Sequence, residues 1–365
     1  MIPLCVPEIK GNEWKYIKEC LDTNWVSSVG KFVDRFEEEF AKYNEVNSAV
    51  VTMNGTAALQ LALITLGIGE GDEVIVPSMT FISSVNAIKY IGAVPVFVDV
   101  DRETFVMDVN KVESLISEKT KAIMPVHIYG YSVEMDELNA IAQKYNLFVV
   151  EDATEALGTT YKGKLAGTLG DIGCFSFNGN KTITTGAGGM LITNNDEYAK
   201  RAKYLSNQTK TIKKNGAMDH EEIGYNFRMP NLLAAMGVAQ LENIDNYLEA
   251  KRINAKLYDE LLKDVEGITL IKKANHINNS YWLYSILVED NFRITRDELL
   301  EVLKENGIQS RPFFLPVHNM KPYAGSKCGS MEITMDISNR GINLPSSVSL
   351  TKEEIRKVCD VIRNK

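Results

Sequence analysis

The segment AVVTMNGTAALQLALITLGIGEGDEVIVP, residues 49–77, contains two short apolar runs on either side of a longer one. The runs Ala49–Met53 and Glu73–Pro77 are rich in valine, which is typical of strands. Between them, Thr56–Leu66 has apolar residues at three- and four-residue spacing, which predicts a helix. The alternation continues to residue 152, with candidate strands at Val94–Val98, Ala122–Val126 and Phe148–Asp152 and candidate helices at Ser84–Tyr90, Asn110–Ile116 and Met135–Tyr145. Repeated strand–helix–strand units predict an α/β fold with a parallel sheet covered by helices on both faces.

The pattern changes after Asp152. Two further strands are predicted at Ile172–Phe177 and Gly189–Thr193, joined by the polar, glycine-rich segment Asn178–Gly188. Residues Asn231–Leu262 have a helical pattern throughout. The rest of the chain predicts a smaller α+β domain, with candidate elements at Ser280–Val288, Thr295–Glu305, Gln309–Pro312 and Thr351–Arg363. We therefore expect two domains, residues 1–240 and 241–365, with the boundary inside the long helical region.

Composition excludes several classes of protein. Of 365 residues, 45% are hydrophobic and 24% are charged, which excludes disordered chains, collagens and coiled coils. Forty Lys and Arg against 48 Asp and Glu give a net charge of −8, which disfavours nucleic acid as the main partner. Five scattered cysteines without a CxxC pair predict neither a disulfide framework nor a metal site. With no signal-peptide pattern and no membrane-length apolar run, we expect a cytoplasmic protein that does not contact a membrane.

Two strand ends carry candidate chemistry, because ligands of such sheets bind at the carboxyl ends of the strands. Gly55 and Thr56 follow the first strand and open a helix, whose free N–H groups would bind an anion such as phosphate. The alternative is a tight turn with Thr56 as a helix cap. Asp152 ends another strand, where its carboxylate could bind magnesium, a ribose or a protonated ring nitrogen. It could equally be a helix cap or a salt-bridge partner.

Lys181 lies in the glycine-rich segment that follows the strand Ile172–Phe177. Most lysines lie on solvated surfaces, but a lysine removed from water loses its proton more readily and can form a Schiff base with a carbonyl. A carboxylate, a lysine and a phosphate site in one crevice match the needs of pyridoxal 5′-phosphate (PLP), which has a pyridine nitrogen, an aldehyde and a phosphate.

Four motifs in this order resemble the DegT/StrS family of sugar aminotransferases. They are Asn54-Gly55-Thr56, Glu151-Asp152-Ala153-Thr154-Glu155-Ala156, Phe175-Ser176-Phe177 with Asn180-Lys181, and Gly224-Tyr225-Asn226-Phe227-Arg228. Each motif is weak alone, but their order and spacing are specific, and the resemblance extends over nearly the whole chain. It implies the aspartate aminotransferase-like fold of type I PLP enzymes and a transaminase that acts on nucleotide-linked keto sugars.

The resemblance also implies roles for individual residues. Lys181 would form the Schiff base and move the proton during transamination, and Asp152 would hold the pyridine nitrogen protonated. Glu155 would lie near the phenolic oxygen of the cofactor. The remaining expected cofactor contacts are the stacking ring of Phe81, the phosphate ligands Gly55, Thr56 and Ser176, and Asn226 from the neighbouring subunit. A homodimer with shared active sites is therefore expected.

Substrate contacts are expected in two segments that resemble family loops. The segment Thr23–Ser28 borders the sugar pocket in the family, which suggests Trp25 and Ser27 as contacts. The segment Arg311–His318 resembles the stretch that approaches the nucleotide sugar, which suggests Arg311 and His318. Trp25 could instead be a packing aromatic and His318 a structural residue. His127, at a strand end, is expected to be structural.

The resemblance is closest to two groups of enzymes. The segments 179–186 and 340–345 resemble perosamine synthases, which aminate GDP-4-keto-6-deoxymannose. The segments 6–16 and 177–180 resemble aminotransferases of legionaminic-acid pathways, whose substrates are UDP- or GDP-linked 4-keto-6-deoxy-N-acetylhexosamines. Ala187 stands where perosamine synthases commonly carry Glu. Both groups aminate C4 of a 6-deoxy sugar, so we expect a 4-aminotransferase of surface-polysaccharide (O-antigen or lipopolysaccharide) biosynthesis, with L-glutamate as donor by family analogy.

The sequence argues against three other functions. A sugar dehydratase of the same fold has histidine in place of the Schiff-base lysine, so Lys181 argues against it. A nucleotide-sugar dehydrogenase or epimerase needs a Gly-x-Gly-x-x-Gly turn after the first strand, and residues 53–58 lack one. A non-catalytic sugar sensor would not need both Lys181 and Asp152.

Overall fold

The computed structural model describes residues 1–365 and contains twelve α-helices and sixteen strands. The first half consists of α1 Glu13–Asp22, α2 Lys31–Tyr43, β1 Ser48–Thr52, α3 Gly55–Thr65, β2 Glu73–Pro77, α4 Ser83–Tyr90, β3 Val94–Val98, α5 Val109–Val112, β4 Thr120–Ile123, α6 Met135–Tyr145, β5 Phe148–Asp152, β6 Thr160–Tyr161, β7 Lys164–Leu165 and β8 Ile172–Ser176. The second half consists of β9 Gly189–Thr193, α7 Asp196–Ser206, β10 Lys210–Ile212, β11 Met218–His220, α8 Asn231–Leu241, α9 Ile244–Leu262, β12 Ile268–Leu270, β13 Ile277–Asn278, β14 Tyr284–Val288, α10 Arg296–Glu305, β15 Arg311–Pro312, α11 Glu332–Arg340, β16 Gly341–Leu344 and α12 Lys352–Arg363.

A seven-stranded sheet with the order β1-β9-β8-β5-β4-β2-β3 forms the centre of the molecule. The pairs β2–β3, β2–β4, β4–β5 and β5–β8 are parallel, and only β9 runs against its neighbours. The strands read as continuous apolar runs because helices cover both faces of such a sheet. This arrangement places the ends of β1, β5 and β8 at one edge, where Asn54, Asp152 and Ser176 lie.

Helix α3 packs against β8 and β9 and is buried along almost its whole length. Leu59, Leu61 and Leu63 are all inaccessible to solvent, which explains why α3 has no polar face. Its first residue follows β1 after only two residues. The packing therefore fixes the position of the helix N-terminus at the edge of the sheet.

A second, antiparallel sheet has the order β12-β14-β16-β15 and belongs to the carboxyl-terminal part of the chain. The amino-terminal residues also pack there, since Ile2 forms a parallel bridge with Ile308. The proposed division at residue 240 falls at the end of α8. No helix of the structure is both long and apolar enough to cross a membrane.

Among the predicted elements that differ from the structure, two do so for local reasons. The predicted helical region Asn231–Leu262 is two helices, because Asn243 leaves the helical conformation and its side chain donates to the carbonyl oxygen of Ala239. The strand predicted to reach Val126 ends at Ile123. Pro125 has no N–H group for the ladder, and a single bridge between Val126 and Asp152 resumes the pairing.

Candidate active site

A cavity of about 300 Å³ opens at the edge of the central sheet where β1, β5 and β8 end. Its walls come from the N-terminus of α3, the loop before α4, the loop after β5, the glycine-rich segment after β8 and two parts of the carboxyl-terminal region. The lining residues are Asn54, Gly55, Thr56, Phe81, Ser83, Thr154, Glu155, Ser176, Asn178, Asn180, Lys181, Ala187, Gly188, Trp282, Arg311 and Phe314. The predicted residues Gly55, Thr56, Phe81, Glu155, Ser176, Lys181 and Arg311 thus surround one space.

The N-terminus of α3 forms an anion-binding surface in this cavity. The Asn54 side chain caps the helix by accepting a hydrogen bond from the Ala57 N–H group at 2.8 Å, so the predicted cap Thr56 is not the capping residue. The N–H groups of Gly55 and Thr56 have no acceptor within the chain. A Cβ atom at Gly55 would lie 2.8 Å from Cβ of Ser176. Glycine therefore keeps open the space between the helix N-terminus and the Ser176 hydroxyl, which suits a phosphate group.

Asp152 is not itself a lining residue of the cavity, but it lies at the end of β5, just before the lining residues Thr154 and Glu155, and two hydrogen bonds hold its carboxylate. Ser84 Oγ donates to one carboxylate oxygen at 2.6 Å, and the Thr154 N–H group donates to the other at 3.1 Å. The side chain is buried and carries no salt bridge. A buried carboxylate with fixed orientation and no cation of its own is suited to a cationic or N–H group of a ligand.

Lys181 and Glu155 form a largely buried ion pair that lines the cavity. Lys181 Nζ lies 3.4 Å from Glu155 Oε1, and the two side chains are 12% and 5% exposed. The other carboxylate oxygen of Glu155 accepts a hydrogen bond from the Tyr129 N–H group at 2.8 Å. Burial raises the pKa of Glu155, and the charge of Lys181 and the Tyr129 N–H group oppose this effect.

Aromatic rings and one free cation complete the walls. Phe81 is 54% exposed and its ring centroid lies 5.7 Å from that of Phe314. An exposed ring beside a cavity is available for stacking on a flat ligand. Arg311 forms no ion pair within the chain, so its guanidinium is available for an anionic group of a substrate.

Besides Asp152, four predicted contacts lie outside this cavity in the same subunit. The carbonyl oxygens of Trp25 and Ser27 accept hydrogen bonds from Asn231, and Trp25 lines a different cavity. Asn226 is exposed on the segment between β11 and α8. His318 Nδ1 lies 2.6 Å from Ser78 Oγ, and burial lowers the pKa of this histidine. The structure does not bring these residues to Lys181 within one chain.

His127 has the structural environment that the sequence suggests. Its Nδ1 accepts a hydrogen bond from the Val133 N–H group at 3.2 Å, so the proton is on Nε2, which donates to Glu151 at 2.9 Å. The Glu151 carboxylate also accepts from the N–H groups of Gly167, Leu169 and Gly170. Both side chains are fully buried and organise the loop that precedes β8.

The sequence prediction missed several residues of the site, and the missing signal has a physical reason. Trp282, Phe314 and Tyr129 contact the cavity or its carboxylate only because distant segments pack there. Ser84 was included in a predicted helix but not linked to Asp152. A serine at the start of a helix is too common a pattern to indicate a partner 68 residues away along the chain.

The chain is similar to known proteins along nearly its whole length. The profile of the DegT/DnrJ/EryC1/StrS aminotransferase family matches residues 7–363. A GDP-perosamine synthase of Escherichia coli O157:H7 is 45% identical over 361 residues, covering 99% of this chain and 97% of that protein. A GDP-perosamine synthase of Vibrio cholerae is 43% identical over 365 residues, covering 100% of this chain and 99% of that protein.

A solved structure of a sugar aminotransferase has the same fold at lower sequence identity. The putative sugar aminotransferase Spr1654 from Streptococcus pneumoniae, in its PMP form, superposes with a TM-score of 0.95 at 27% sequence identity, covering 100% of this chain and 98% of that chain. The same protein is also solved in a PLP form. These matches confirm the predicted α/β fold and the predicted class of PLP-dependent aminotransferase. The chain belongs to the DegT/DnrJ/EryC1/StrS aminotransferase family.

Proposed function

We propose that this chain is the 4-aminotransferase that converts GDP-4-keto-6-deoxymannose to the 4-amino sugar, with L-glutamate as amino donor. Two GDP-perosamine synthases match it over essentially their full lengths at 43% and 45% identity, which favours GDP as the nucleotide. The observation that carries the proposal is the position of Lys181, which shares one cavity with Glu155 and the free N-terminus of α3. The product would serve the synthesis of a surface polysaccharide.

The residues of the cavity fit PLP. The space that Gly55 leaves open beside Ser176, together with two free N–H groups, suits its phosphate. The hydrogen-bonded carboxylate of Asp152 suits its pyridine nitrogen, and the exposed ring of Phe81 suits its flat face. Lys181 supplies an amine for its aldehyde. When bound, PLP supplies an electron sink that stabilises negative charge on the carbon from which a proton is removed.

Four side chains of the protein would bind, orient or transfer protons in the reaction. Lys181 would take a proton from one carbon and return it to another, since its amine is the base that lies in the cavity. Glu155 would hold the Lys181 ammonium in place through the contact at 3.4 Å. Asp152 would keep a proton on the ring nitrogen through its negative charge. Arg311 would bind an anionic part of the sugar nucleotide or of glutamate.

A second candidate substrate fits the same site. Ala187 lines the cavity at the position where perosamine synthases commonly carry Glu, and its smaller side chain leaves more room there. A 4-keto-6-deoxy-N-acetylhexosamine linked to UDP or GDP therefore remains the second substrate to test. Both candidates exchange the carbonyl oxygen at C4 for an amine while glutamate becomes 2-oxoglutarate.

A substrate panel tests the proposal directly. Purified enzyme with PLP and glutamate would be given GDP-, UDP- and dTDP-linked 4-keto-6-deoxy sugars, and the products analysed by mass spectrometry. We expect amination of GDP-4-keto-6-deoxymannose and none with the Lys181→Ala control. Preferential amination of the N-acetylhexosamine would make that sugar the substrate in place of GDP-4-keto-6-deoxymannose. Loss of water in place of amination would indicate a dehydratase.

We further propose a homodimer in which Asn226 reaches the phosphate site of the partner subunit. In support, Asn226 is exposed, and its neighbours are fixed, since the N–H groups of Tyr225 and Phe227 donate to Leu205 and Ser206. The surrounding hairpin and loop expose large apolar side chains, with Ile212 71%, Met218 66% and Ile223 85% accessible. A surface of this kind is typical of an interface between subunits.

Mixing of subunits tests the shared site. Inactive Lys181→Ala and Asn226→Asp dimers are mixed under conditions where labelled subunits are seen to exchange. If Asn226 acts on the partner, both lesions fall in one site of the heterodimer and the other site is intact, so activity returns. No recovery despite demonstrated exchange would place Asn226 in its own subunit. The two-domain division at residue 240 and the cytoplasmic location remain predictions.

A further inference from the structure

Trp282 contacts the segment Asn180–Lys181 at two points, although it lies 101 positions from Lys181 along the chain. Lys181 Nζ lies 3.9 Å from the centroid of the indole ring. The indole Nε1–H group donates to the carbonyl oxygen of Asn180 at 2.7 Å. One side chain thus holds both the amine of Lys181 and the peptide group immediately before it.

Trp282 is itself fixed from the opposite side. The residue is 3% exposed, and its carbonyl oxygen accepts a hydrogen bond from Lys251 Nζ at 3.2 Å. Lys251 is buried and donates to two more carbonyl oxygens, those of Tyr281 and Ser346. Since a buried ammonium without carboxylate partners needs all its acceptors, the backbone around Trp282 has little freedom to move.

The indole ring also contacts the residue that holds Glu155. Trp282 and Tyr129 are stacked with ring centroids 6.4 Å apart, and the Tyr129 N–H group donates to Glu155. Lys181 Nζ therefore lies between an aromatic face and a carboxylate, both of which attract a cation. The four rotatable bonds of lysine are restricted before any ligand binds.

We propose that Trp282 is a positioning residue that orients Lys181 Nζ for reaction with the cofactor, beyond any contact it makes with the sugar. The inference rests on the proposed role of Lys181. It predicts that loss of the indole slows the condensation of Lys181 with the PLP aldehyde, a step in which the Lys181 ammonium first loses a proton to solvent and the neutral amine then forms a C=N bond and releases one water. Orientation of an amine before reaction increases its rate because less freedom is lost at the transition state.

The test uses the full-length cofactor-free enzyme and no sugar substrate. Trp282→Leu removes the aromatic face and the N–H donor, whereas Trp282→Phe keeps an aromatic face. PLP is mixed with each variant in a stopped-flow instrument, and the visible absorbance of the covalent adduct is followed. We expect condensation to be about tenfold slower in the Leu variant and about threefold slower in the Phe variant. Trp14→Leu, at a position 82% exposed on α1, is the matched control.

Steady-state kinetics separate positioning from substrate binding, since Trp282 also lines the cavity. A positioning role lowers kcat and leaves the KM of the sugar nucleotide unchanged. A wild-type condensation rate in the Leu variant, or a defect confined to KM, would overturn the inference. If circular dichroism shows the Leu variant to be misfolded, a wild-type rate in the Phe variant would overturn it as well.

Peptide mapping distinguishes this outcome from failure of the proposed function. Borohydride reduction of the wild-type enzyme with PLP should label Lys181. A label on another lysine would contradict the proposed role of Lys181, and the Trp282 inference would fail with it. A label on Lys181 combined with an unaffected Leu variant would remove the Trp282 inference alone.

Discussion

Replacement of Asp152 by Asn should leave the fold intact and lower turnover strongly. Asn has the same shape and can keep both hydrogen bonds of the carboxylate: its amide oxygen accepts from Thr154 N–H, and its NH2 group donates to Ser84 Oγ. The Ser84 hydroxyl can then donate to Thr80 Oγ1, 2.8 Å away, or to the Phe81 carbonyl oxygen at 3.3 Å. No buried polar group loses its partner, so the free energy of unfolding should change by about 1 kcal/mol or less.

The loss of charge has a larger effect on the reaction. A hydrogen bond to a charged group is worth about 1.5–3 kcal/mol, which corresponds to a factor of roughly 10 to 150 in rate at 1.36 kcal/mol per tenfold. Affinity for PLP should fall much less, because the phosphate site and Lys181 are untouched. The negative charge matters most when the ring withdraws electrons, so the defect should appear in kcat.

Three measurements on the same protein check this prediction: thermal unfolding, PLP binding by absorbance titration, and kcat with saturating substrates. Ser84→Ala is the control, since it removes one hydrogen bond to Asp152 and leaves the charge. We expect a much smaller loss of turnover in Ser84→Ala than in Asp152→Asn. Turnover of Asp152→Asn close to the wild-type value, with a normal melting temperature, would refute the role of the charge.

Three further predictions concern residues that line the cavity. Lys181→Ala should fold normally, lose the visible absorption of covalently held PLP and lose transamination by several orders of magnitude; wild-type-like absorption would contradict the assignment. Gly55→Ala should cost about 1–3 kcal/mol of stability by overpacking against Ser176 and weaken PLP binding in a titration, whereas Gly69→Ala, with no atom within 4 Å of its added Cβ, should do neither. Burial raises the pKa of Glu155, so ionisation of its carboxyl group costs folding stability. The melting temperature of cofactor-free Glu155→Gln should therefore equal that of the wild type in acid and exceed it as the pH rises through the raised pKa. A difference in melting temperature that shrinks with rising pH would contradict this.

Much of the central sheet could be predicted from the sequence. The strands at Glu73–Pro77, Val94–Val98, Phe148–Asp152 and Gly189–Thr193 begin and end where the apolar runs do. Such strands are buried on both faces, so their runs are continuous and have clear limits. The reversed direction of β9 could not be predicted, because strand direction depends on the path of the whole chain and not on a local pattern.

One missed helix did carry a usable signal. Helix α2 was not predicted, although Phe32, Phe36 and Phe40 recur at four-residue spacing and are buried against the core. Charged residues fill the intervening positions, which is the pattern of an amphipathic surface helix. The periodicity of the phenylalanines together with the charged intervening positions is therefore sufficient to predict α2 from the sequence.

The candidate site could be predicted only where motifs mark it. Gly55, Glu155, Ser176 and Lys181 follow strands or open helices, and strand ends meet at one edge of a parallel sheet. Trp282 follows no such rule, since its position depends on packing of the carboxyl-terminal region against the segment that bears Lys181. The roles of the motif residues remain predictions, whereas their shared cavity is a structural observation.

Tyr129 has a strained backbone conformation, and its N–H group contacts the carboxylate beside Lys181. Its φ angle of 55° lies in the left-handed region, which costs a non-glycine residue about 1–3 kcal/mol. The conformation aims the Tyr129 N–H group at Glu155, and the Tyr129 hydroxyl accepts a hydrogen bond from the N–H group of Phe314, which also lines the cavity. A relaxed backbone would turn the N–H group away and leave one oxygen of a buried carboxylate unsatisfied. The fold therefore retains a strained residue because that residue fixes both the carboxylate beside Lys181 and the aromatic wall facing it.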